Sequence, residues 1–201
     1  MTSPFVRTWS GAAVALDDPH PASIDIGDIA RHLAQLPRFC GAAHMTVNVA
    51  SHSIHVAREL ARLKASPTAQ LWGLLHDAHE AFTGDIPTPV KRAVARLAGA
   101  DAIGRLQDGI DRAVMARFGI EVSAGDARQV KAADAAVLAA EWIKWMPGPC
   151  PEATPPARIP VEALRSDVAE KHFLALFARL DILRGPRPRH GIMNFDVHGG
   201  T

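Results

Sequence analysis

The sequence has no tyrosine, only two cysteines and no excess of either charge, and each shortage removes a class of protein. Cys40 and Cys150 cannot build a disulfide framework, which fits a reducing cytoplasm. Lys and Arg number 22 against 21 Asp and Glu, so no electrostatic footprint for duplex nucleic acid is present. No apolar stretch is long enough to span a bilayer, and no basic segment followed by an apolar run opens the chain. A cytoplasmic protein without a membrane partner is expected. Its 201 residues suit one domain with a real core, and 48% hydrophobic against 21% charged makes that domain globular.

Histidine is what the chain has in quantity: 10 residues, several of them between His44 and His79. Such clusters are solvent-facing accidents or metal sites, and their neighbours must decide. The stretch His76-Asp77-Ala78-His79-Glu80-Ala81-Phe82-Thr83-Gly84-Asp85-Ile86-Pro87-Thr88-Pro89-Val90-Lys91 organises the rest. Ala69 to Leu75 reads as the apolar body of a helix that delivers an imidazole and a carboxylate side by side. On a continuing helix Glu80 lies four residues from His76 and three from Asp77, which crowds all three on one face. A glycine turn then carries Asp85, and Thr88-Pro89 restarts a helix as cap and first residue.

Around this stretch the periodicity is helical. Thr8 to Pro19, with Ala13-Val14-Ala15-Leu16, reads as a small hairpin or extended arm rather than core. Helices are predicted over Ile26–Leu36, Val47–Leu63, from Ser66-Pro67 into His76-Asp77, and over Pro89–Leu97, Ala102–Phe118, Asp126–Met146 and Val161–Leu183. Pro37 stops the first, so Arg38-Phe39-Cys40-Gly41 begins a loop. The proline-rich stretch from Pro147 to Pro160 must cross the surface. The expected architecture is all-α: one helical bundle around one site, with a single domain over residues 1–184 and a helical core over about 26–146. Residues 185–201, rich in Pro, Arg, Gly and His, read as a flexible tail.

Four residues are candidate ligands: His52, His76, Asp77 and Asp134. Asp134 lies on an alanine-rich helix where a buried carboxylate needs a cation, a donor or water; pointing outward is the alternative. His52 alone reads as a hydrogen-bonded, half-buried histidine rather than a ligand, and it is the adjacent His76-Asp77 pair that favours the ligand. Imidazole and carboxylate together suit Mn, Co, Zn, Fe or Mg. His55 reads as a solvent or supporting residue rather than a ligand. His79 faces off the stripe, and Trp142 and Trp145 read as core or interface aromatics.

The order His52 … His76-Asp77 … Asp134 on separate helices resembles the HD-domain metal-dependent phosphohydrolase superfamily. Val49-Ala50-Ser51-His52-Ser53, His76-Asp77-Ala78-His79-Glu80 and Thr83-Gly84-Asp85-Ile86-Pro87-Thr88-Pro89-Val90-Lys91 look most like the bacterial 5′-deoxynucleotidases. Small phage enzymes that strip triphosphate from dATP are similar too. The resemblance implies that His52, His76, Asp77 and Asp134 bind one divalent metal ion. It implies that Glu80 handles the attacking water or the leaving oxygen, and that Asp85 is the acid near sugar and leaving oxygen. Arg38 matches an arginine that holds phosphate, and Phe39 an aromatic that screens the sugar. Lys91 is a candidate for an outer phosphate, although an exposed lysine is its default. Relatives carry Glu before the first metal histidine, where this chain has Ser51.

The function implied is hydrolysis of a deoxynucleotide, as a 5′-deoxynucleotidase or a dNTP triphosphohydrolase, by a homo-oligomer in the cytoplasm or, if phage-encoded, the host cytoplasm. Cyclic-dinucleotide phosphodiesterases of the superfamily carry Gly-Tyr-Pro, and this chain has no Tyr. Alarmone hydrolases carry Glu-Asp where this chain has Glu80-Ala81. The alternative from another class is a regulatory module that binds nucleotide or metal without turnover. Retention of Glu80 and Asp85 argues against it, since binding alone needs neither.

Overall fold

Helices start where a side chain can accept from the first free backbone donors. In the computed structural model, which describes residues 3–151 and 153–185, Asp25 caps α1 (Ile26–Gln35) and Asn48 caps α2 (Val49–Arg62). Ser66 caps α3 (Pro67–Leu75), which carries proline in its first turn. A single turn, α4 (Glu80–Thr83), leads to α5 (Thr88–Ala98). Asp101 caps α6 (Ala102–Phe118), and Gly119 closes it in the left-handed conformation. Ser123 and Asp126 form a reciprocal capping box at the start of α7 (Ala124–Trp145), and α8 (Ser166–Leu183) is the last helix. The fold is all-α with a short N-terminal hairpin, β1 (Phe5–Arg7) against β2 (Ala13–Ala15), antiparallel with Val6 opposite Val14.

Burial puts α2 at the centre. It packs on α1, α3, α7 and α8, and residues 49–57 are all buried. One apolar cluster joins Ile29, Leu33, Ile54, Leu74, Ile110 and Phe173, among others. A second, on the α7 side of α2, contains Val56, Leu60, Val137, Trp145 and Val161. Gly73 lets α3 close on α2: a Cβ there would meet Leu60 Cδ1 at 2.3 Å. That contact sets His52 of α2 beside the end of α3.

Four sequence expectations change. The hairpin is part of the core, because Val14 is fully buried in the first cluster. The helix predicted from Val161 begins at Ser166. The intervening backbone is taken by side chains of α2: His55 Nε2 accepts from the Glu162 amide, and Asn48 Nδ2 donates to the Leu164 carbonyl. Thr88 is the first residue of α5 rather than its cap; Pro87 occupies the cap position without a side-chain bond. The helix bearing His76 does not run on to Glu80 but ends at Leu75. The tail predicted over 185–201 lies, from residue 186, outside the described residues. No helix among the described residues is long and apolar enough to cross a membrane.

Candidate metal centre

Beyond Leu75 the backbone tightens. The amides of Ala78, Glu80, Ala81 and Phe82 bond to carbonyls three residues back, at Leu75, Asp77, Ala78 and His79. Three residues per turn eclipse side chains at i and i+3, so Asp77 and Glu80 stay together although the α-helix has ended. The same tightening turns His79 toward them, against the sequence expectation: ligating atoms of Asp77, His79 and Glu80 lie within 4.8 Å of one another.

The predicted ligands converge. His52 Nε2 lies 3.0 Å from Asp134 Oδ1 and 3.8 Å from Asp77 Oδ2. His76 Nε2 lies 3.3 Å from Asp77 Oδ2 and 3.7 Å from Asp134 Oδ1. One ligand atom from each of His52, His76 and Asp77 falls within 4.8 Å of the others. Asp134 therefore does not simply face solvent, although its side chain is 39% exposed.

The far sides of both rings suit a metal. His76 Nδ1 donates to the Gly73 carbonyl at 2.9 Å, and its buried Nε2 has no hydrogen-bond partner. His52 Nδ1 is 3.1 Å from Glu141 Oε2. A histidine whose other nitrogen donates to a carbonyl or carboxylate presents its remaining lone pair to an ion.

Glu141 is the residue that sequence reasoning missed. It is fully buried and meets three partners: His52, His55 Nδ1 at 3.3 Å, and Arg38 Nε at 3.2 Å. His55 Nε2 accepts from an amide, so its Nδ1 carries the hydrogen and donates to Glu141. Ser51 turns away and donates to Asn48 Oδ1. The carboxylate behind His52 thus comes from α7, seven residues after Asp134. That spacing, two turns along one face, was the available signal.

Charges in the site are set by proximity. Burial works against the charged forms of His52 and His76, yet the surrounding carboxylates raise both, His76 to about 10. Burial likewise opposes Asp77 and Asp134, but the histidines hold both carboxylates below their ordinary range. Imidazolium protons held by these carboxylates can be exchanged for a divalent ion. Metal uptake at pH 7 should therefore release about one to two protons, and affinity should fall as pH falls. Calorimetry in two buffers of different ionisation heat checks this; a buffer-independent enthalpy would contradict it.

Above this group opens a cleft of about 420 Å³ lined by Arg38, Phe39, Asp77, Glu80, Asp85, Lys91 and Asp134, together with Trp142. A larger depression of about 450 Å³ beside Trp9, Arg31 and His32 holds none of the predicted residues, so chemistry rather than size picks the site. Arg38 is buried and braced by Glu141, with Nη1 3.8 Å from Asp77. Burial, then Asp77 and Asp85, push Glu80 up to about 9, and burial also raises Asp85. Trp142 lines the cleft rather than the core and meets Phe39 edge-on at 5.8 Å, while Trp145 is buried as predicted. Phe39 and Cys40 have φ of 58° and 51°. The left-handed region is a genuine outlier for a bulky side chain, and such strain clusters at functional sites.

No family model matches the chain. The uncharacterized protein RCAP_rcc00048 of Rhodobacter capsulatus is 38% identical over 153 residues, 71% of this chain and 74% of that protein. The uncharacterized protein YfdR of Escherichia coli is 30% identical over 137 residues, 68% and 70% of the two chains. A multifunctional CCA protein of Methylococcus capsulatus is 30% identical over 112 residues, which span 51% of this chain but 26% of that longer protein. Similarity at this level over most of both lengths means that the chain belongs to one family with RCAP_rcc00048 and YfdR.

Proposed function

We propose that the chain is a metal-dependent phosphohydrolase of the HD type acting on deoxynucleotides. The observation that carries the reading is the meeting of His52, His76, Asp77 and Asp134 below a cleft whose wall includes a buried arginine. A divalent ion bound there supplies Lewis acidity and a water of lowered pKa. The chain's own groups do the rest. Arg38, oriented by Glu141, offers a guanidinium fork to the phosphate. Glu80 and Asp85 line the cleft beside it and can handle the proton of the attacking water or of the leaving sugar oxygen. Lys91 at the same cleft is placed for an outer phosphate. Phe39 and Trp142 give the sugar an apolar wall.

The test is release of phosphate from dNMPs, and of triphosphate from dNTPs, with Mn, Co, Zn or Mg. Metal-dependent release from at least one deoxynucleotide is expected. No release across the panel would leave a binding module instead.

The wall carries its own prediction. A 2′-hydroxyl packed against the Phe39 ring would lose its water, and an unpaired buried hydroxyl costs about 1–3 kcal/mol. Phe39→Ala should therefore narrow the preference for deoxy over ribo substrate mainly by improving the ribonucleotide. Arg38→Ala should weaken both sugars alike. Competing kcat/KM values for one deoxy/ribo pair check this, and an unchanged ratio in Phe39→Ala removes the ring from sugar selection.

A further inference from the structure

The tightened turn presents acceptors that the four-residue set leaves unused. Asp77, His79 and Glu80 bring one ligating atom each within 4.8 Å of the others, and His79 and Glu80 are only 8% and 6% exposed. His79 is fixed from α6, where Asp111 Oδ1 lies 3.0 Å from its Nδ1. An ionised carboxylate only accepts, so Nδ1 carries the hydrogen and Nε2 is left with a lone pair. That Nε2 is buried and has no hydrogen-bond partner, and Glu80 Oε2 is in the same condition. Neither atom bonds the other, and the Asp77 carboxylate adds a third acceptor to the group. Buried polar atoms are normally satisfied, so two orphans on adjacent residues need a reason. A cation that displaced the Glu80 proton would pair two neighbouring carboxyl groups at once.

We propose that Asp77, His79 and Glu80 bind a second divalent cation, with Asp77 shared between it and the ion held by His52, His76 and Asp134, and with Asp111 positioning His79. The carboxylate behind His79 is the arrangement that orients metal-ligating histidines and raises their basicity. One imidazole with two carboxylates suits a borderline or hard ion such as Mn, Fe or Zn over a soft one. The inference rests on Asp77 being a ligand of the first ion. Glu80 has two carboxylate oxygens, so ligation through one leaves the other for the substrate.

Equilibrium dialysis of the full chain against manganese, followed by elemental analysis, counts the ions. The parent should bind two manganese per chain and His79→Gln one. Asp111→Asn leaves every ligand in place and should weaken only the second ion, by about 10–100-fold. Should His79→Gln fail to fold, that variant carries the test alone. One ion in both the parent and His79→Gln, or two in both, overturns the second site while leaving the first intact. One ion in the parent with none in His79→Gln overturns it too, because His79 would then serve the first ion. An unchanged second affinity in Asp111→Asn also counts against it. A parent that binds none removes the first site and this one together.

Discussion

Glu80→Gln should keep the ion held by His52, His76, Asp77 and Asp134 yet lose about 10²–10⁴-fold in turnover, the usual contribution of a positioned acid or base. Glutamine preserves the volume of a side chain that is 6% exposed, so packing in the turn survives. It can neither give nor take a proton at that position. Steady-state rates on the best substrate, measured with the content of the first ion confirmed, make the comparison. A variant at the parent rate would reduce Glu80 to a structural residue.

Glu141→Gln should unfold more easily by about 3 kcal/mol, at the low end of what breaking a buried pair costs. Both Glu141 oxygens accept, one from His55 and one from His52, while Arg38 faces the second. An amide can accept at one of them only, and its NH2 group then meets donors. The loss stays near the low end because Asp77 remains 3.8 Å from Arg38 and His52 can release its proton. Urea unfolding should show a lower midpoint with an unchanged slope. The same change should weaken the first ion about 10–100-fold through His52. Parent stability would mean that the triad around Glu141 is not what holds α2, α7 and the Arg38 turn together.

How much of this could be read from the chain depended on range. Periodicity and caps are local, so α1, α3, α6 and α7 start within two residues of the expected Ile26, Ser66-Pro67, Ala102 and Asp126. The meeting of His52, His76, Asp77 and Asp134 was expected, and the structure places these side chains together. What escaped was set by distant partners. His55 and Asn48 capture the backbone at Glu162 and Leu164, which no propensity in Val161–Arg165 announces. The break after Leu75 is invisible to a 3.6-residue pattern, because an i+3 pair stays together in either kind of turn. It alone reverses the reading of His79. Glu141 drew no reading from the sequence, because the two histidines and the arginine around it come from distant parts of the chain.

The central claim is that the His-Asp set binds the ion on which phosphoester hydrolysis depends. Asp77 lies 3.3 Å from His76 Nε2 and 3.8 Å from His52 Nε2, so its carboxylate is the group that the site can least replace. The most direct measurement is divalent metal content and deoxynucleotide turnover for Asp77→Asn beside the parent, equilibrated in the same manganese. Loss of bound ion together with loss of turnover is the predicted result; a variant with the parent's stoichiometry and rate would contradict the account.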